Sequence, residues 1–532
     1  MNELEILPTR ATYSVGDSVS FELRGGTPGE LSVWRLGAEV LRTPHDGADV
    51  VTVGWLPEGS YGIEYATADA TVRTAVEVTV TSRRRLRYGF VVDYSPGRDL
   101  VSVTDNIRRL HLTDVQFYDW GYRHADLLGG GDSYLDALEQ PVSLATVHAL
   151  IEALHATGTR SLGYAAVYAV GPDEWPHWQH RALLTATGEP YALGDFLFLV
   201  DPAAPDWLDS FTRQLGEAVL APGFDGFHLD QYGYPKRALR ADGESVDVAR
   251  SFVTMIDTVR AALPDRQLVF NNVNDFPTWA TASAPQDAVY IEVWEPNVTL
   301  RSLAAVVARA RSVALEKPVV VAAYQHVYDS APASVADLST AFTMATLFSH
   351  GATQLLAGEA DRILVDPYYV RNHAIEPSTA DLLRRWYDFL VENDDLLLDP
   401  SIVDVTGSYA GDYNDDCDVT FAAAASSVTA TPGSVWRRVT TAGDRLIVHL
   451  INLTAQENDL WDAPRNEPET AGAGTLRFRR VGAGIPRVRV ASPDGTPRLI
   501  DVPVELDGSH ATARLPEFAI WQLVVIDLEP AA

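Results

Sequence analysis

The apolar positions of the chain change their spacing twice. Over about residues 11–81 they alternate with polar positions in short runs, at 18–23, 31–35, 50–55, 61–66 and 71–80, cut by Gly25-Gly26, Pro28-Gly29 and Pro57-Glu58-Gly59. A period of two broken by turn formers predicts short β-strands with one buried face. Residues 1–84 therefore read as a small Ig-like β-sandwich.

From Leu86 to about Pro400, strand-like runs alternate with segments of helical period. Strands are expected at 88–93, 114–120, 161–168, 223–230, 268–274, 288–295, 318–326 and 353–359, and the helical spacing is clearest over 246–263 and 303–313. Eight such units predict a (β/α)8 TIM barrel over residues 85–400. Beyond Ile402 the helical period disappears and strands return at 434–440, 445–453, 475–480, 488–491 and 520–526, which predicts a C-terminal antiparallel β-sandwich over 401–532. The expected architecture is multi-domain, with a central barrel flanked by the two sandwiches.

Composition narrows the function classes. The 532 residues are 46% hydrophobic and include 12 Trp and 21 Tyr, which argues for packed globular domains. A net charge of −31 sets the chain against nucleic acid, because a polyanion would meet a repulsive field. Cys417 is the single cysteine, so neither an internal disulfide nor a multi-cysteine metal site is available. The histidines show no HExxH spacing, and the expectation is that no metal and no other cofactor takes part. The run Asp412-Tyr413-Asn414-Asp415-Asp416-Cys417-Asp418 lacks the glycine and terminal glutamate of a calcium loop and reads as a solvated acidic turn. No 18-residue apolar run suggests a membrane partner, and Met1-Asn2-Glu3-Leu4-Glu5 has no leader pattern. The expected location is outside the cell if a leader precedes Met1 and cytoplasmic otherwise.

The chemistry lies at the carboxyl ends of the barrel strands, where a TIM barrel gathers its catalytic groups. Gly223-Phe224-Asp225-Gly226-Phe227-His228-Leu229-Asp230-Gln231 ends the fourth strand, and Tyr290-Ile291-Glu292-Val293-Trp294-Glu295 ends the sixth. Two carboxylates on different strands suggest glycoside hydrolysis. Asp230, the last residue before its loop, is the candidate nucleophile, whereas Asp225 lies a strand length lower and reads as structural. Glu292 shares its face with Tyr290 and Trp294, surroundings that raise a carboxyl pKa, so it is preferred to Glu295 as general acid/base. Asp93, Tyr118, Asp119, Trp120, Tyr164, His228, Gln231, Asn271, Asn274, Trp294 and Glu295 are the candidate substrate contacts. Carboxylates and amides bind sugar hydroxyls, and Trp and Tyr stack on the apolar faces of pyranose rings.

These residues resemble glycoside hydrolase family 66, the dextranases and cycloisomaltooligosaccharide glucanotransferases. The likeness rests on Leu86-Arg87-Tyr88-Gly89-Phe90, Gln116-Phe117-Tyr118-Asp119-Trp120 followed by Tyr122-Arg123-His124, the Asp230 and Glu292 runs, Asn271-Asn272-Val273-Asn274 and the Leu56 to Gly62 turn. The resemblance implies an endo-acting, retaining enzyme on α-1,6-linked glucan, dextran or isomaltooligosaccharides, with the nucleophile falling on Asp230 and the acid/base on Glu292. The family's glucanotransferases carry a carbohydrate-binding module inserted in the barrel. No stretch between Leu86 and Pro400 is long enough to hold one, which favours hydrolysis over cyclisation. The alternatives are a glucanotransferase-type transglycosylase, a hydrolase of a related cyclic or branched α-glucan, and a glucan-binding protein without turnover. The sequence leaves the oligomeric state open.

Overall fold

The computed structural model describes residues 4–81, 85–411, 414 and 416–528. Asp412, Tyr413 and Asp415 of the acidic turn lie outside the described residues. At the centre is an eight-stranded parallel sheet made of Tyr88–Val91, Asp114–Phe117, Arg160–Ala166, Gly226–Asp230, Gln267–Asn271, Ala288–Glu292, Val319–Ala322 and Ala352–Leu355, paired in chain order. These are the eight strands read from the sequence, each within a few residues of its expected start. Several expected ends run too far, because the last residues of the expected strands belong to the loops above the sheet. A parallel bridge from Phe90 to Gly358 brings the last strand back to the first, so the barrel is nearly closed.

The strands are buried along nearly their whole length, as parallel strands covered by helices must be. The covering helices present one apolar stripe. Over Val248–Ala262 the residues Val248, Phe252, Met255, Ile256 and Val259 are buried, at helical spacing. Leu300–Val313 starts at a reciprocal cap in which Thr299 and Ser302 satisfy each other's backbone N–H groups. Asp225 lies below the fourth strand, accepting from the Ser161 N–H at 2.8 Å and from His155 at 2.7 Å, and so fastens neighbouring strands at the barrel's bottom.

Inside the barrel the first, third, fourth and sixth strands contribute Tyr88, Tyr164, His228 and Tyr290. The His228 ring lies 4.7 Å from Tyr290, 5.9 Å from Tyr88 and 6.2 Å from Tyr164. The Tyr88 hydroxyl shares a 3.1 Å hydrogen bond with His228 Nδ1, and burial pushes the imidazole down to about 3, so it stays neutral. This aromatic plug is the floor of the site above it.

Additional sheets flank the barrel. Before it come a three-stranded sheet and a five-stranded sheet that share one apolar core, including Ile6, Phe21, Leu31, Ile63 and Val76. After it come a seven-stranded and a four-stranded sheet with a second shared core, including Val419, Val448, Leu476 and Val524. Both sets are mostly antiparallel. Each contains one parallel pairing, Tyr13–Ser14 with the end of Thr71–Thr79 and Ala425–Ser427 with Ser434–Ala442.

Charged groups join the first set to the barrel. Arg87 is fully buried and donates to Glu77 at 2.9 Å, to the His111 carbonyl at 2.6 Å and to the Ala11 carbonyl at 3.2 Å. Arg85 and Ser60 both donate to buried Asp394. The helix Pro377–Glu392 meets both sets: Arg73 donates to its Glu392 at 2.7 Å, and its Trp386 stacks on Trp521 with ring centres 6.0 Å apart. No helix among the described residues is long and apolar enough to cross a membrane.

Candidate active site

The fourth strand ends at Asp230, the fifth at Asn271 and the sixth at Glu292. The Asn271 amide nitrogen donates to Asp230 Oδ1 at 2.7 Å and to Glu292 Oε2 at 2.7 Å. One –NH2 group thus holds both acids, and its geometry limits the gap between the two accepting oxygens to twice 2.7 Å. Asp230 Oδ2 accepts from the Tyr164 hydroxyl at 2.8 Å, and Glu292 Oε1 accepts from the Trp294 indole at 3.1 Å. The Asn271 side-chain oxygen, Oδ1, is buried with no protein partner.

The two acids border a cavity of about 230 Å3 whose walls include seven tyrosines, Tyr118, Tyr164, Tyr232, Tyr290, Tyr324, Tyr368 and Tyr369. Burial pushes both carboxyl pKa values above the ordinary range. On Glu292 the charge of Asp230 adds to burial, whereas the donors Asn271 and Tyr164 offset burial on Asp230. The pair therefore retains a proton toward neutral pH, with Glu292 the group that keeps it and Asp230 the one that bears charge.

The expected site residues fall into two groups. Tyr118, Tyr164, His228, Asp230, Gln231, Asn271, Glu292 and Trp294 line this cavity. Gln231 also ties two loops together, donating to the carbonyls of Asn271 at 3.1 Å and Phe276 at 3.0 Å. The others lie elsewhere. Trp120 is fully buried beneath the second strand's loop, packed 4.6 Å from Phe224 with its indole on the Tyr164 carbonyl, so it has no face for a sugar. Asp119 precedes it at φ 44°, and that left-handed residue breaks the alternation that would have turned Trp120 upward. Asp119 is itself buried, its carboxyl pushed far above the usual range by burial and by the charges of Asp136 and Asp230.

Asp93 is exposed and borders a separate cavity of about 520 Å3 with Arg98 and Glu359. That cavity is the larger, but it lacks the paired carboxylates. Asn274, at φ 53°, has turned away to brace the next loop, donating to the Glu295 carbonyl at 2.8 Å and accepting from Asn297 at 2.7 Å. Glu295 is exposed beyond the strand end and borders a third cavity.

Tyr369 was not among the expected contacts. It comes from a short 3-10 turn, Tyr369–Arg371, in the loop after the eighth strand, and stacks on Tyr118 at 4.2 Å. Its neighbourhood, Pro367-Tyr368-Tyr369, offers a proline and paired aromatics but no periodicity to place them. Among the described residues no group of three or more His, Cys, Asp and Glu side chains is arranged to hold a metal ion.

Comparison with known proteins agrees with this layout. The chain matches the family model for glycosyl hydrolase family 66 over residues 10–525. A cycloisomaltooligosaccharide glucanotransferase from Niallia circulans is 23% identical over 413 residues, 67% of this chain and 42% of that protein. A second one from the same organism is 24% identical over 285 residues, 48% of this chain and 29% of its own length. The chain thus spans less than half the length of the curated relatives it matches. Among solved structures, a Paenibacillus cycloisomaltooligosaccharide glucanotransferase complexed with cycloisomaltoheptaose aligns with a TM-score of 0.88 at 18% identity, covering 98% of this chain and 99% of that one. An α-amylase from Geobacillus thermoleovorans aligns with a TM-score of 0.55 at 13% identity, over 84% and 99%.

Proposed function

Because the chain belongs to glycosyl hydrolase family 66, we propose that it cleaves α-1,6-glucosidic linkages of dextran-type glucans with retention of configuration, Asp230 acting as nucleophile and Glu292 as general acid/base. The observation that carries this reading is the Asn271 amide shared at 2.7 Å by both carboxylates. Acids this close fit the roughly 5–5.5 Å spacing of retaining enzymes rather than the roughly 6.5–9.5 Å that leaves room for a water.

Asp230 Oδ attacks the anomeric carbon while Glu292 gives its proton to the glycosidic oxygen, and the C1–O bond breaks with its electron pair going to the leaving sugar. Glu292, now ionised, takes a proton from the incoming hydroxyl, whose oxygen displaces Asp230 from C1. Tyr164 and Asn271 donate to Asp230 throughout and set the direction of its attack. The tyrosine walls supply faces on which pyranose rings stack and keep water away from the carboxylates. The flanking sheets, read as sandwiches over about 1–84 and 401–532, would frame this face of a barrel at about 85–400.

Transfer to a sugar hydroxyl is supported as well as hydrolysis is, since the matched relatives bear the name of glucanotransferases. The absence of a barrel insertion long enough for a module does not by itself select water. Incubation with dextran, read by proton NMR for the first anomer and by mass spectrometry for the products, decides. Linear isomaltooligosaccharides appearing as α-anomers fit a hydrolase, and masses one water lighter fit a cyclising transferase. Products appearing first as β-anomers, or no cleavage of any isomaltooligosaccharide, would contradict the proposal.

A further inference from the structure

A third cavity, of about 400 Å3, adjoins the carboxylate cavity and shares Trp294 and Tyr324 with it. Its remaining walls come from two distant parts of the chain. Val293, Glu295, Val298 and His326 follow the sixth and seventh barrel strands, whereas Leu460, Trp461 and Asp462 follow the strand Arg445–Asn452 of the C-terminal sheets. Its volume falls within the range of small-ligand sites, roughly 300–1,000 Å3.

The C-terminal segment is fixed to the barrel here. The Trp461 indole donates to the Asn297 carbonyl at 2.7 Å and its backbone N–H to the Val298 carbonyl at 3.1 Å, while its own carbonyl accepts from Ser339 at 2.7 Å and Thr343 at 3.1 Å. Asp462 accepts from the Val327 N–H at 2.9 Å and from His326 Nδ1 at 3.1 Å. The segment thus presents an apolar side chain, Leu460, beside a histidine and two carboxylates. Carbohydrate sites combine such groups, an apolar surface for the ring face and polar groups for the hydroxyls.

Position fixes the role. Around the barrel the order runs from Asp230 on strand four, through Asn271 on strand five and Glu292 on strand six, to Tyr324 after strand seven. The third cavity therefore lies beyond Glu292 as seen from Asp230. The Trp294 indole on Glu292 Oε1 is part of the wall between them. In a double displacement the acid/base serves the leaving and incoming groups, so the space on its far side is theirs.

We propose that this cavity is the subsite for the leaving-group and acceptor glucosyl unit, and that residues 460–462 make the C-terminal sheets part of the active site. The inference rests on the retaining glucan reading above. When a sugar occupies the cavity its 6-hydroxyl oxygen bonds to C1, the C1–Oδ bond to Asp230 breaks with the electron pair returning to the carboxylate, and the hydroxyl proton passes to Glu292. Occupancy by sugar instead of water thus governs the ratio of transfer to hydrolysis.

The test uses α-isomaltosyl fluoride as donor, since fluoride leaves without filling a sugar subsite, and isomaltose as acceptor. His326→Ala and Leu460→Ala are suited to it because both residues are exposed, and Asp462 keeps its bond to the Val327 N–H when His326 is shortened. Each variant is expected to need about five-fold more isomaltose than the wild type for half-maximal transfer from the fluoride, the effect of one lost hydrogen bond or apolar contact. Wild-type acceptor dependence in both variants, or a wild-type enzyme that hydrolyses the fluoride but makes no saturable transfer to isomaltose, would overturn the subsite. A wild-type enzyme that leaves the fluoride untouched would instead overturn the retaining glucan reading itself.

Discussion

Glu292 and Asp230 have the same kind of side chain and neighbouring positions, yet their surroundings set them apart. Burial and the charge of Asp230 hold the Glu292 proton, and the need for that proton differs between substrates. Glu292→Gln is expected to lower turnover of isomaltotetraose by about 10²–10⁴-fold while sparing α-isomaltosyl fluoride far more, because fluoride needs little protonation. Steady-state rates on the two substrates check it, and equal losses would remove Glu292 from the acid role. Asn271 stabilises the charged form of both acids. Its removal therefore raises both pKa values. In Asn271→Ala the acid limb of the kcat/KM profile, where Asp230 loses its charge, and the alkaline limb, where Glu292 loses its proton, should both move to higher pH. Unmoved limbs with a lower rate would assign Asn271 a purely structural part.

At the scale of the elements, the fourth strand depends on a glycine. A Cβ at Gly226 would collide with the Gln267 carbonyl of the adjacent strand, which the parallel register pairs with it. Gly226→Ala is expected to cost about 1–3 kcal/mol by overpacking, seen as a lower Tm, and to lower activity as well because it pushes the strand that ends in Asp230. Loss of stability with full activity would show that strand and carboxylate shift independently. The eight barrel strands were legible because each is a buried apolar run between helices, and the two acids because they close such runs. Alternation failed just past the strand ends where the backbone turns left-handed: Asp119 at φ 44° sends Trp120 down into the core, and Asn274 at φ 53° swings onto the next loop, whereas Glu295 leaves the site as period-two alternation places it. Tyr369 was illegible for a related reason, since a loop places it by tertiary contact alone. Short strands such as Ser133–Leu135 and Arg237–Leu239 were also missed, being too brief to show a period.

Across the whole molecule, the barrel is joined to both sets of sheets, and those junctions contain charge. Arg87, fully buried, keeps Glu77 paired, and Asp394 lies 3.7 Å away. Arg87→Ala removes the 2.9 Å donor of buried Glu77 and leaves it only Arg85, 3.6 Å away, which should cost about 1–3 kcal/mol, measured as a shift in the denaturant midpoint. A shift below about 1 kcal/mol would mean that water or Arg85 replaces the lost donor. The C-terminal sheets have a second part to play, through Leu460 to Asp462 at the rim of the site. That contribution could not be read from the sequence, because 166 positions separate Glu295 from Trp461 and only folding brings them together.

A glucosyl unit bonded to Asp230 during turnover can be trapped and located. A 5-fluoro-α-glucosyl fluoride slows breakdown of the intermediate more than its formation, and peptide mass spectrometry of the inactivated protein locates the label. One fluoroglucosyl group is expected on the peptide containing Asp230, absent when isomaltotriose protects the site. A label on any other residue, or turnover of the fluoride with inverted product and no label, would contradict it.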